Sequence, residues 1–230
     1  YGFLIEETEL FFQLKKLTES SVLYNFKTLI MFRIYFLLVL AIIINSAISF
    51  NFNRFRSIRT SALQMIGVND PTPSAMVDII TPTSGDYTVD SGVDFAEALK
   101  SHKKAVLFAV PGAFTPTCSE KHLPGFIALA GDMKAKGVDA VYCLSVNDKF
   151  VMKSWGQGTT GFAESGIKLV ADGNGDYTKA IDLVKDATGG RMGLRCTRFA
   201  AILEDGVFKA VEVDEAGLEK SSAEAILGML

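Results

Sequence analysis

Along the second half of the chain, apolar runs of strand length alternate with amphipathic stretches of helix length. "KAVLFAV" (Lys104 to Val110) and "VDAVYCLSV" (Val138 to Val146) have no polar alternation, the pattern of strands covered on both faces. "YTVD" (Tyr87 to Asp90), "IKLVAD" (Ile167 to Asp172), "RFAAILED" (Arg198 to Asp205) and "VFKAVEVD" (Val207 to Asp214) predict further strands. The last two meet at Asp205-Gly206, a hairpin turn signal. Between the strands, "VDFAEALKSH", Thr115 to Ala135 and "DKFVMKSWG" predict helices, the second kinked at Pro124-Gly125. "SSAEAILGML" closes the chain as a helix begun by a Ser-x-x-Glu capping box from Ser221 to Glu224.

Strand and helix in alternation, ending in a hairpin and a helix, predict an α/β fold with a central mixed β-sheet flanked by helices. The order of elements is thioredoxin-like. This domain is expected over residues 66–230, because "GVNDPTPS" is a turn-rich boundary before the first of these elements.

Upstream of it the pattern changes. "IYFLLVLAIII" (Ile34 to Ile44) follows Lys27 and Arg33 and precedes small residues, so residues 31–49 resemble a signal peptide cleaved after Ser49. The run is shorter than the roughly 18 to 20 apolar residues of a spanning helix, so no stable membrane span is expected in the mature protein. Residues 50–65 carry Arg54, Arg56 and Arg59 among serines and threonines with no acid, a transit-peptide composition. The first methionine is Met31, and residues 1–30 are expected to be an upstream gene-model extension. A signal-like segment followed by a transit-like one resembles the two-part leaders of algae with complex plastids. A plastid is the expected compartment, with mitochondrion, cytoplasm and secretory pathway as alternatives.

Composition narrows the partners. Hydrophobic residues make up 49% of the 230-residue chain, enough to bury a core. A formal charge of -3 leaves no basic excess to collect phosphates, which argues against nucleic acid. A small-molecule or protein substrate is expected instead. Cys118, Cys143 and Cys196 are odd in number and widely spaced, and neither His102 nor His122 stands at a ligand-like distance from them. That pattern fits neither a disulfide framework nor a zinc site.

Cys118 lies in "PGAFTPTCSEKHLPGF". Thr117 and Glu120 form a Thr-x-x-Glu capping box, and Thr115-Pro116 offers an alternative helix start. Both put Cys118 in the first turn, where unpaired N–H groups and the helix dipole favour a thiolate. A thiolate there is poised for nucleophilic or redox chemistry, whereas a free cysteine also often serves as a small buried hydrophobe. Position and caps leave the two readings even. His122 is one turn on, and its ring would have to fold back to act as base on the sulfur, which argues against acyl transfer.

"PGAFTPTC" carries Pro111, Thr115 and Cys118 in the P-x-x-x-T-x-x-C pattern of peroxiredoxins. With "SEKHLPGF" and "AKGVDAVYCLSVNDKFVMKSW", the chain from about Met65 to Leu230 resembles the type II, glutaredoxin-dependent branch of that family. The resemblance implies a thioredoxin fold and a thiol peroxidase serving antioxidant defence, without metal or organic prosthetic group. Cys118 would reduce hydrogen peroxide and alkyl hydroperoxides through a sulfenic acid. Glutathione and glutaredoxin, or thioredoxin, would regenerate it, and a homodimer is implied.

Arg198 falls on the family's active-site arginine, with Arg195 as a second basic position. Thr115 would bridge sulfur and peroxide, and Pro111 would shield the site from water. Cys143, 25 residues after Cys118, falls on the second cysteine of plant-like members and is the candidate resolving thiol. Its apolar strand fits a buried inert thiol at least as well, which leaves a one-cysteine cycle open. Cys196, two residues before Arg198, is expected on the same strand face as that arginine. The alternative from another class is a thiol-based redox sensor with little turnover.

Overall fold

The computed structural model describes residues 65–83 and 86–230, all within the unit spanning Leu63–Leu230. The expected leader segments lie outside the described residues. The chain runs β1 (Met76–Thr83), β2 (Asp86–Asp94), α1 (Phe95–Lys100) and β3 (Lys104–Ala109) to a π-helical turn (Cys118–His122) that leads into α2 (Leu123–Ala135). It continues through β4 (Ala140–Ser145), α3 (Lys149–Gly158), α4 (Phe162–Ser165), β5 (Lys168–Ala171) and α5 (Asp176–Ala180). A small hairpin of β6 (Val184–Asp186) and β7 (Leu194–Cys196) precedes β8 (Arg198–Glu204), β9 (Val207–Asp214) and α6 (Ala223–Met229).

Seven strands form one sheet in the order β2-β1-β5-β4-β3-β8-β9. β3, β4 and β5 are parallel, and β1 and β8 join them antiparallel, so the sheet is mixed as expected. Successive side chains of a strand point to opposite faces. Along β3 and the residue after it, Val106, Phe108 and Val110 pack into one layer with residues of α2, α3 and α6. Ala105, Leu107 and Ala109 pack into the other, with residues of α1 and α5. Both faces are covered, which is why β3 and β4 lack polar alternation.

Asp205 and Gly206 both take left-handed conformations at φ 48° and 75°, which closes the β8–β9 hairpin as the dipeptide predicts. Two helix starts differ from expectation. Thr117 is already helical and its side chain makes no cap hydrogen bond. The chain turns helical at Pro116 instead, the alternative start, with the Ser119 amide donating to the Thr115 carbonyl. At the C terminus Ser222, not Ser221, caps the helix by accepting from the Ala225 amide.

The irregularity expected at Pro124-Gly125 lies just upstream, in the π-helical turn. Pro124 has no N–H to give the Glu120 carbonyl, and its ring would crowd that carbonyl in a regular α-helix. The Leu123 amide bonds the Cys118 carbonyl five residues back, and the turn widens. Cys118 and His122 are both buried on the inner side of that turn. Among the described residues no helix is long and apolar enough to cross a membrane, and no three His, Cys, Asp or Glu side chains gather as a metal site.

Candidate active site

The site sits where β3 ends. The Val110 amide still bonds the Leu144 carbonyl at 2.9 Å, after which the chain leaves the sheet. The loop is then tied down by Asn147, whose Oδ1 accepts from the Ala113 amide at 3.0 Å and from Ser145 Oγ at 2.7 Å. Gly112 is closely approached: a Cβ there would lie 3.2 Å from Arg195 Nη1 and 3.3 Å from Thr115 Cγ2. Phe114 is exposed at a positive φ of 62°, an uncommon conformation for a bulky residue. Thr115 Oγ1 donates to the Gly112 carbonyl at 2.8 Å. A hydroxyl has one proton, so this bond leaves the Thr115 lone pairs free to accept.

Cys118 and Arg198 meet directly, although 80 positions separate them. Arg198 opens β8, which runs antiparallel to β3, so its first residue lies at the sheet end where β3 stops. Its side chain shares a face with Ala200 and Ile202, the layer that holds Cys118. Arg198 Nη2 lies 3.4 Å from Cys118 Sγ, and Nη1 lies 2.8 Å from His122 Nδ1.

A guanidinium can only donate, so His122 Nδ1 must carry a lone pair. The other ring nitrogen, Nε2, is then the N–H and donates to the Ser221 carbonyl at 2.9 Å. The ring lies against Phe108 and Phe126, whose rings stack at 3.9 Å. Burial, with the Arg198 charge second, pushes the His122 imidazole down to about 4. It is neutral in the folded protein near pH 7.

Arg198 is itself 7% exposed, and among the described residues no carboxylate stands within ion-pair distance of it. A buried charge without a counter-charge is costly, and Cys118 Sγ is the group that faces this one. Helix start and arginine therefore meet at the same sulfur.

The other two thiols are buried differently. Cys143 faces the Cys118 layer from β4, opposite Phe108 of β3. Burial, with Cys118 second, pushes its thiol well up despite the Arg198 charge. Cys196 lies in the opposite layer, and the expectation that it shares the face of Arg198 is corrected. Alternation holds only within one strand, and Cys196 ends β7 of the small hairpin before β8 begins. Burial pushes its thiol up to about 12. All three cysteines are free.

Arg195 does not reach the sulfur; it donates to the carbonyls of Met192 at 2.8 Å and Val146 at 3.3 Å. The sequence raised His122 as a metal ligand or a base, not as a partner of Arg198. The i, i+4 spacing from Cys118 was the available signal, since both side chains then face the same neighbour. Asn147 and Ser221 carried no such signal, because their contacts are made across the fold.

The neutral His122 has a consequence for acid stability. The unfolded chain takes up this proton near pH 6.5 and the folded one only near pH 4, so the unfolded state binds more protons between them. Stability is complete above about pH 6.5 and falls by about 3 kcal/mol as pH drops to 4. Urea unfolding at a series of pH values measures this loss, and His122→Gln should flatten the slope in that window.

Comparison with known proteins agrees with the geometry. The Redoxin family model matches residues 78–227. Peroxiredoxin-2E-2, chloroplastic, of Oryza sativa subsp. japonica is 44% identical over 174 residues, covering 74% of this chain and 75% of that protein. Peroxiredoxin-2B of Arabidopsis thaliana is 42% identical over 166 residues, covering 72% and 98%. Among solved structures, reduced Prx3 of Vibrio vulnificus in complex with hydrogen peroxide is 41% identical with a TM-score of 0.60, covering 72% of this chain and 99% of that one. A buried thiol held against an uncompensated arginine at the end of a thioredoxin-like sheet, within these similarities, places the chain among the type II peroxiredoxins, the antioxidant thiol peroxidases.

Proposed function

We propose that Cys118 is the peroxidatic thiol and that Arg198, Thr115 and Pro111 complete its site. The observation that carries this reading is the 3.4 Å approach of Arg198 Nη2 to Cys118 Sγ, with no carboxylate among the described residues within ion-pair distance of that arginine. The thiolate attacks the terminal peroxide oxygen. The S–O bond forms as the O–O bond breaks, the released alkoxide or hydroxide takes a proton, and sulfur becomes a sulfenic acid. Arg198 donates toward the charge as it moves from sulfur to oxygen. Thr115 Oγ1 accepts from the peroxide O–H, and Pro111 limits water at the loop.

The sulfenic acid is then reduced by an external thiol, which forms a mixed disulfide and releases water; a second thiol frees Cys118. Glutathione with glutaredoxin is the reductant we favour, with thioredoxin as the alternative. The burial of Cys143 supports the one-cysteine cycle, because a thiol kept protonated inside the sheet is a poor nucleophile. A homodimer is the assembly the family implies. A plastid location is supported by the composition of residues 31–65 and by chloroplastic relatives in Oryza sativa and Arabidopsis thaliana.

Three measurements test these assignments. Cys118→Ser should abolish peroxide consumption, and Arg198→Met should lower kcat/KM for hydrogen peroxide by roughly a hundredfold; full activity in Cys118→Ser would remove the central assignment. A wild type that oxidises at Cys118 without turning over would support a sensor instead. Cys143→Ser should keep turnover with glutathione and glutaredoxin, with mass spectrometry of peroxide-treated protein finding glutathione on Cys118. A reporter fused behind residues 31–65 and expressed in an alga with a complex plastid should accumulate in that organelle, and retention in the cytoplasm would count against the leader.

A further inference from the structure

Asp214 is the last residue of β9 and the cross-strand partner of Arg198. Its carboxylate accepts from the amides of Glu219 at 3.0 Å, Lys220 at 3.1 Å and Ser221 at 2.9 Å, and from Ser221 Oγ at 2.7 Å. Burial works against ionisation, but these donors outweigh it and hold the carboxyl down at about 2. Among the described residues no cation pairs with it. The charge is spent on one loop, and that loop ends at the carbonyl that accepts from His122 Nε2.

The direction of each hydrogen bond gives this loop a route to the sulfur. With the Ser221 carbonyl fixed, His122 must carry its proton on Nε2 and offer Nδ1 to Arg198. Were the carbonyl to move away, the ring could protonate Nδ1 instead. An N–H would then face the Arg198 N–H, two donors toward each other, and the guanidinium would be pushed from the place where its second nitrogen faces Cys118.

We infer that Asp214 is a positioning residue of the peroxidatic site: through the Ser221 carbonyl and the tautomer of His122, it holds the Arg198 guanidinium against Cys118. The inference rests on the roles proposed above for Cys118 and Arg198. Asp214 touches neither peroxide nor sulfur.

The test is Asp214→Asn, which keeps the side-chain shape and replaces one acceptor oxygen with a donor facing backbone N–H groups. The rate constant for hydrogen peroxide should fall by roughly tenfold. The pH profile of Cys118 alkylation by iodoacetamide, followed on its peptide by mass spectrometry, should move to higher pH. Combined with Arg198→Met, Asp214→Asn should add little, since both act through one guanidinium. An Asp214→Asn protein with a lowered melting temperature but an unchanged rate constant and alkylation profile overturns the inference, as does full additivity with Arg198→Met. Should Asp214→Asn not fold, Ser221→Ala removes one of the four bonds and leaves the carbonyl. It should slow peroxide reduction about two- to threefold, and an unchanged rate overturns the inference. A wild type without peroxide reduction would instead sink the assignments of Cys118 and Arg198.

Discussion

The structure of this site depends on one uncompensated charge. Arg198 is buried at the end of the sheet with a sulfur on one nitrogen and a neutral imidazole on the other. A carboxylate beside it would neutralise the guanidinium and compete with the sulfur for its donors. A cationic histidine would repel it. The imidazole meets the requirement because burial and Arg198 keep it neutral, and Asp214, the cross-strand partner of Arg198, is occupied by four donors of its own loop.

Sheet topology sets where that charge goes. β3 delivers the thiol-bearing loop at its C-terminal end, and β8, antiparallel to it, begins at the same end with Arg198. The π-helical turn then presents Cys118 and His122 together, where a regular helix entered at Pro124 would have met the missing N–H. The loop between them is pinned by Asn147 at the end of β4. Three strand ends, β3, β4 and β8, thus hold a site whose residues are spread across the sequence.

The same topology sorts the three thiols. Cys118 faces a cation; Cys143, in the same layer, is enclosed by the sheet; Cys196, across the sheet, has no part in the site. The strands that carry Cys143 and Arg198 were legible in the sequence because a strand buried on both faces is a continuous apolar run. β1 was not, since "MVDIITPT" is interrupted by an aspartate, two threonines and a proline and pairs at a bulged register. α5 and the β6–β7 hairpin were missed because they are only three to five residues long, too short for a period to show. Two capping boxes matched the pattern without forming. Proline at 116 starts the one helix earlier, and Asp214 takes the hydroxyl of Ser221 that would have capped the other.

By itself the sequence determined the layered α/β core and the loop that carries Pro111, Thr115 and Cys118, because apolar runs, turn dipeptides and a contiguous motif record themselves in neighbouring residues. The arginine eighty positions on was expected only through the family resemblance. Only the tertiary structure decided that His122 serves Arg198 rather than the sulfur, that Cys196 belongs to the far layer, and that Asp214 and Ser221 stand behind the imidazole. Each of these depends on the direction of hydrogen bonds between residues tens of positions apart, and no local pattern in the chain encodes which donor will face which acceptor.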